Sequence, residues 1–219
     1  MNRPPAQLAG APLREDLLQI ARMIPAQARV LDVGCGDGRL LDHLMREKQV
    51  DGRGIELSQA GVNACVAQGL SVVQGDADKD LVDYPSDSFD FVILSQTLQA
   101  TRRPRSVLLE MLRIGRFAVV SFPNFGHWRV RQHLLLRGRM PVTALLSQAW
   151  YKTPNIHLCT IRDFLLLCDK LDIAVEKSLA LDEAGRAAPL GGYLRVANLL
   201  SVQALFLLRK GPDFTPTPA

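Results

Sequence analysis

The chain has 219 residues, with 26 Lys and Arg against 22 Asp and Glu, 47% hydrophobic residues and a formal net charge of +4. That length fits one large domain, able to bury a core without a disulfide or metal staple. The balance of apolar and charged residues excludes wholesale disorder, collagen and a disulfide scaffold. The longest charge-free run near the C-terminus, 13 residues from Val196 to Leu208, is too short to span about 30 Å of hydrocarbon. Residues 1–12 read as a flexible N-terminus, polar and Pro-rich without an apolar signal-peptide core, so a soluble, cytoplasmic protein is expected.

In chain order, residues 14–24 have helical apolar spacing and stop at Pro25. A short β-rich run, residues 28–34, enters a glycine turn, and Leu40, Leu41, Leu44 and Met45 mark one face of the helix after it. Residues 54–57 form a second strand; Ser58 caps a helix that Gly69 ends. Strands at 70–74 and 89–94, a helix near 105–113 and a fifth strand at 116–122 complete the alternation. Alternating β and α units of this length imply a parallel sheet covered on both faces. Residues 123–159 are aromatic, basic and Pro-containing. Thr160 and Asp163 suggest a capping box before a helix to about Leu171. Residues 173–176 and 202–208 are two final strands paired antiparallel, which makes seven, with a loop at 185–192. The domain is therefore expected to run from 13 to 210, as a motif half (28–122), an insertion (123–159) and a C-terminal part (160–210). Residues 211–219, with three prolines, read as a disordered tail.

Charge divides the chain unevenly. Residues 1–100 hold 9 basic and 14 acidic side chains, residues 101–162 hold 11 basic and one acidic, and residues 163–219 hold 6 and 7. The basic middle third suggests an anionic partner or a solvated Arg-rich face. Cys35, Cys65, Cys159 and Cys168 show neither CxxC nor Cys/His ligand spacing, which points to reduced structural thiols and to no metal site.

The most informative segment is Val30-Leu31-Asp32-Val33-Gly34-Cys35-Gly36-Asp37-Gly38. Glycines between a strand and a helix permit a tight turn and bring backbone close to a ligand at the helix N-terminus. The spacing is G-x-G-x-G rather than the dinucleotide G-x-G-x-x-G. Glu56 ends the second strand 18 residues after Gly38, where a carboxylate can accept two ribose hydroxyls.

Together with Asp32, Glu56 and the Gly75-Asp76-Ala77 turn, this pattern resembles the class I S-adenosylmethionine-dependent methyltransferases, over residues 28–122. The resemblance implies a Rossmann-like methyltransferase fold and S-adenosylmethionine or S-adenosylhomocysteine as cofactor. By it, Gly34, Cys35, Gly36 and Gly38 lie against the amino-acid part of the cofactor with Asp32 nearby. Glu56 and Leu57 meet the ribose side, Asp76 and Ala77 the adenine. Ser95 and Gln96 open a segment that closes over the methionine end. That segment, Gln96-Thr97-Leu98-Gln99-Ala100, carries no titratable side chain where many small-molecule methyltransferases place a His, so no catalytic residue is assigned. His127 and His157 fit structural or partner-contacting roles better than catalysis.

Two further strings, residues 122–129 (Phe-Pro-Asn-Phe-Gly-His-Trp-Arg) and 150–160 (Trp-Tyr-Lys-Thr-Pro-Asn-Ile-His-Leu-Cys-Thr), with Gln96-Thr97-Leu98-Gln99, resemble the MetW family of methionine biosynthesis over about residues 14–210. That resemblance implies a methyltransferase-like protein acting with and supporting the homoserine O-acyltransferase MetX. The alternative is a methyltransferase acting on a small molecule or on its protein partner. Trp128, Arg129, Arg131, Trp150, Tyr151 and His157 are the candidate partner contacts, since Trp and Arg are enriched at interface hot spots. The competing reading of the run from Trp128 is a partly buried helix with solvated arginines. Nucleic acid is disfavoured, because the basic run is short and no recognised nucleic-acid motif accompanies it.

Overall fold

The computed structural model describes residues 13–142 and 148–215; the flexible N-terminus expected at 1–12, part of the insertion and the last four residues lie outside it. After α1 (Glu15–Met23), the chain alternates β1 (Arg29–Val33), α2 (Arg39–Lys48), β2 (Asp51–Glu56), α3 (Gln59–Ala67), β3 (Val72–Gln74), β4 (Phe89–Ser95), α4 (Pro104–Ile114) and β5 (Gly115–Pro123). Then follow α5 (Trp128–Arg137), α6 (Ile161–Lys170), β6 (Ile173–Leu181), β7 (Ala187–Pro189), α7 (Leu194–Leu200) and β8 (Gln203–Lys210).

One sheet has the order β3-β2-β1-β4-β5-β8-β6-β7. The first five strands pair in parallel, and β8 runs antiparallel between β5 and β6. Seven of the strands match the expected set. The eighth, β7, is a short edge strand antiparallel to β6, inside the stretch expected to be a loop. Its three residues are too few to show a period-2 pattern, so only pairing with β6 reveals it. From β1 the chain moves outward through β2 and β3, then returns to place β4 on the other side of β1. That reversal leaves a crevice at the carboxyl ends of β1 and β4, the usual ligand position in open α/β sheets.

Both faces of the sheet are apolar, as a sheet covered on two sides requires. Leu31, Val33, Val92, Val120, Phe122 and Phe206 pack toward α4 and α6. Val30, Phe91, Ile93, Val119 and Leu205 pack toward Ile20 and Ile24 of the α1 segment and Leu40 and Leu44 of α2. Phe122, Phe164 and Phe206 form a triad with ring centroids 4.7–5.8 Å apart. At α6 the capping box forms: Asp163 N donates to Thr160 Oγ1 at 3.2 Å and Thr160 N donates to Asp163 Oδ2 at 3.0 Å.

Helix α5 matches the competing reading of a helix from Trp128, whereas α7 goes beyond the sequence reading. Of the residues in α5, Val130 alone is buried, and α7 buries Asn198 alone. Neither presents the wide apolar face that periodicity detects. The tail is also more ordered at its start than its composition suggests. Gly211 N donates to Asp172 O at 2.8 Å and Phe214 packs against the main core, so residues 211–215 are tied down rather than disordered.

Candidate functional site

The glycine loop joins β1 to α2, and its three glycines do three different things. All have positive φ (Gly34 +72°, Gly36 +59°, Gly38 +79°), a region that is costly for other residues. A Cβ on Gly34 would lie 2.8 Å from Thr97 Oγ1, so the loop after β4 packs directly on it. A Cβ on Gly38 would meet Leu70 at 2.4 Å and Cys65 Sγ at 2.8 Å, which sets how closely α2 and α3 approach. Around Gly36 nothing lies within 4 Å of that position. Gly36 therefore faces open space and is the place where backbone can touch a ligand.

Glu56 is brought against this loop. Its Oε2 accepts from Gly36 N at 2.9 Å and its Oε1 accepts from Ser58 N at 2.9 Å. Each carboxylate oxygen keeps a further lone pair. Leu57 beside it is 66% exposed, an apolar side chain at the lip of the crevice. Asp32, near the end of β1, is 2% exposed. Burial first, and repulsion from Glu56 second, push its carboxyl from 3.8 up to about 7. Asp76 sits in its own turn, accepting from Asp78 N at 3.0 Å and facing Lys79 Nζ at 3.2 Å. The Asp78 amide above all, with Lys79, holds its carboxyl below the usual range. Ala77 is half-buried against the core. Ser95 Oγ lies 3.3 Å from Ser121 Oγ. Gln96 has a left-handed backbone (φ +54°) and its Nε2 donates to Asp16 Oδ2 at 2.9 Å.

Cys35 is placed differently from the expectation. Its N donates to Ile55 O at 3.3 Å, and its Sγ lies 3.9 Å from Cys65 Sγ in a small apolar cluster under α3. Burial pushes this thiol well up. Its N–H and side chain therefore both face the protein and offer the crevice no donor; loop residues around a turn alternate in direction, and spacing alone does not say which turn inward.

Three contributors escaped the sequence reading. Asp78 accepts from the N–H groups of Arg102 and Arg103, both at 2.8 Å, and so braces the turn after β3 against the segment after β4. Asp16 and Gln203 meet Gln96 behind the segment after β4. The first could have been suspected from the acidic run at 76–80. The other two had no signal, since an Asp in a first helical turn is ordinarily solvated.

The partner candidates fall into separate local arrangements. Arg129 pairs with Glu183 and its guanidinium lies 5.3 Å from the Trp128 ring. Arg131 Nε donates to Gly126 O at 2.6 Å. Trp150 and Tyr151, 71% and 67% exposed, meet edge to face at 5.7 Å. His157 is held by N–H donation to Gln99 O at 3.0 Å. His127 caps α5, its Nδ1 accepting from Arg129 N at 3.3 Å, and burial lowers its pKa.

A parallel half-sheet with a reversal between β1 and β4, an antiparallel β8 between β5 and β6, and a glycine loop facing an acidic β2 end define a class I methyltransferase fold. Solved structures agree. A S-adenosylmethionine-dependent methyltransferase of Thermotoga maritima, described as a possible histamine N-methyltransferase, has a TM-score of 0.63 at 17% identity, covering 89% of this chain and 87% of its own. One from Mesorhizobium loti has a TM-score of 0.64 at 17% identity, covering 90% and 98%. Within that class the chain belongs to the MetW family, described as methionine biosynthesis protein MetW, whose profile matches residues 14–208. The bifunctional methionine biosynthesis protein MetXA/MetW of Rhodopirellula baltica (strain DSM 10527 / NCIMB 13988 / SH1) is 34% identical over 187 residues, 81% of this chain and 30% of that protein. The chain spans less than half the length of each curated relative it matches. Among the described residues, no helix is long and apolar enough to cross a membrane.

Proposed function

We propose that the crevice at the glycine loop binds S-adenosylmethionine or S-adenosylhomocysteine, and that the chain acts as a cofactor-responsive partner of a homoserine O-acyltransferase. The observation that carries the first part is the pairing of open space over Gly36 with the Glu56 carboxylate bonded to the same loop. When bound, S-adenosylmethionine supplies a methyl group on a cationic sulfonium. Gly36 gives the amino-acid portion room beside the backbone. Glu56 accepts from the ribose hydroxyls, Leu57 covers an apolar edge, and Asp76 accepts from the adenine amino group. Asp32, costly to ionise while no cation is near, gains a compensating charge from the α-ammonium.

Support for the partner comes from the relative in which MetXA and MetW share one chain. The segment after β4 carries amides and a hydroxyl rather than a proton acceptor, which suits holding a cofactor more than spending it. Titrating S-adenosylhomocysteine with and without the acyltransferase tests the reading. Coupled sites must shift each other's affinity by the same factor, so identical titration curves would remove the sensing role. Co-purification tests association separately, and Trp128→Ala is expected to weaken it. The methyltransferase alternative is favoured by the fold. It predicts a product labelled from isotopic methyl donor that Glu56→Ala abolishes, and no labelled product in extract containing active acyltransferase counts against it.

A further inference from the structure

Helix α5 contains Leu134, Leu135 and Leu136, yet Leu135 and Leu136 are 84% and 71% exposed, because the helix stands away from the sheet. Beneath it, between the ends of β5 and β6 and the first turn of α1, lies a cavity of about 860 Å³. Small-molecule sites have volumes of about 300–1,000 Å³. The cavity is lined by Glu15, Asp16, Asp182 and Glu183 and by Arg129 and Arg137; Glu183 pairs with Arg129 and Asp182 with Arg186.

Asp16 is the buried member, 5% exposed. Two amides from different strand ends fix it: Gln96 Nε2 donates to Oδ2 at 2.9 Å and Gln203 Nε2 donates to the same oxygen at 3.2 Å. Its cation is Arg14, two positions away in the chain and half-exposed, which donates to Oδ1 at 3.1 Å and to Oδ2 at 2.9 Å. A buried carboxylate needs a paired cation. This one is oriented by neutral amides, while its charge partner reaches in from solvent and can be exchanged. Val130, Leu181 and Val202 supply apolar wall beside it.

We propose that this cavity is a second binding site, for an organic cation: a primary amine on an apolar stem, whose ammonium replaces Arg14 at Asp16 Oδ1. The site shares Gln96 with the cofactor crevice but does not depend on that crevice being filled. Hexylamine, hexan-1-ol and hexanoate are titrated into the full chain without nucleoside, and binding is followed by amide chemical shifts. Hexylamine is expected to bind at least about tenfold tighter than hexan-1-ol, the size of effect a charge-assisted hydrogen bond gives, and hexanoate not to bind. The shifts should fall on α5 and residues 181–185. Asp16→Asn should erase the preference for amine over alcohol. His133→Trp, which fills the cavity from α5, should weaken hexylamine about tenfold and leave S-adenosylhomocysteine binding intact. Equal affinity for amine and alcohol, an amine preference surviving in Asp16→Asn, shifts elsewhere, or no hexylamine binding would each overturn the proposal. Because nucleoside is absent from the titration, failure here leaves the cofactor reading standing, and failure of that reading leaves this one standing.

Discussion

Replacing Asp32 by Asn removes a charge that the fold tolerates poorly. The carboxyl is buried near the end of β1 and is pushed from 3.8 up to about 7. At 1.36 kcal/mol per pKa unit, ionising it inside the protein costs about 4 kcal/mol, an upper figure because solvent entering the crevice screens it. The Asn amide recovers only part of this, since an unpaired buried amide itself costs about 1–3 kcal/mol. At pH 8 the variant should therefore be more stable by about 1–3 kcal/mol. The sign follows from proton binding. Between pH of about 4 and 7 the folded protein keeps a proton that the unfolded chain has released, so wild-type stability falls as pH rises through that window. Below it, both states are protonated and the gain from Asn disappears. Urea unfolding of both proteins at pH 4.5, 6, 7 and 8 measures the difference. A midpoint difference constant across that range, or an Asn variant less stable at pH 8, would refute the reasoning. The same substitution should weaken S-adenosylhomocysteine binding at pH 8 by about tenfold or more, the stability gain coming at the expense of the site.

The other substitutions separate packing from binding. Gly36→Ala should unfold only about 1–2 kcal/mol more easily, the cost of a left-handed alanine, yet lose cofactor binding measured by calorimetry. Gly34→Ala adds a 2.8 Å approach to Thr97 Oγ1 and should show a clearly larger loss of stability in the same urea titration. Phe122→Ala opens the centre of the aromatic triad and should cost about 3–5 kcal/mol in denaturant unfolding. Thr160→Ala removes one half of the capping box on α6 and should cost about 1 kcal/mol.

The glycine loop and the strand ends around it were the most legible part of the molecule because their determinants are local. A β-rich run, three glycines and a helix face lie within about twenty consecutive positions, and Glu56 follows one βα unit later. The two strings around Trp128 and Trp150 carried the family. Less legible were the elements whose stability comes from one neighbour. Strand β7 exists through pairing with β6, and Phe214 is held because Asp172 receives the backbone at Gly211.

Residue type and spacing alone determined the alternating α/β order, the glycine loop with its acidic partner, and the split between an acidic first hundred residues and a basic middle; resemblance of two sequence strings pointed to the family. Tertiary structure decided which glycine faces open space, that the Cys35 thiol turns inward, and that Asp16, in the first turn of α1, lies buried between Gln96 and Gln203. Those three residues are up to 187 positions apart. No local pattern encodes such a meeting: it exists only once β4 and β8 take their places on either side of β5 and α1 packs across their ends.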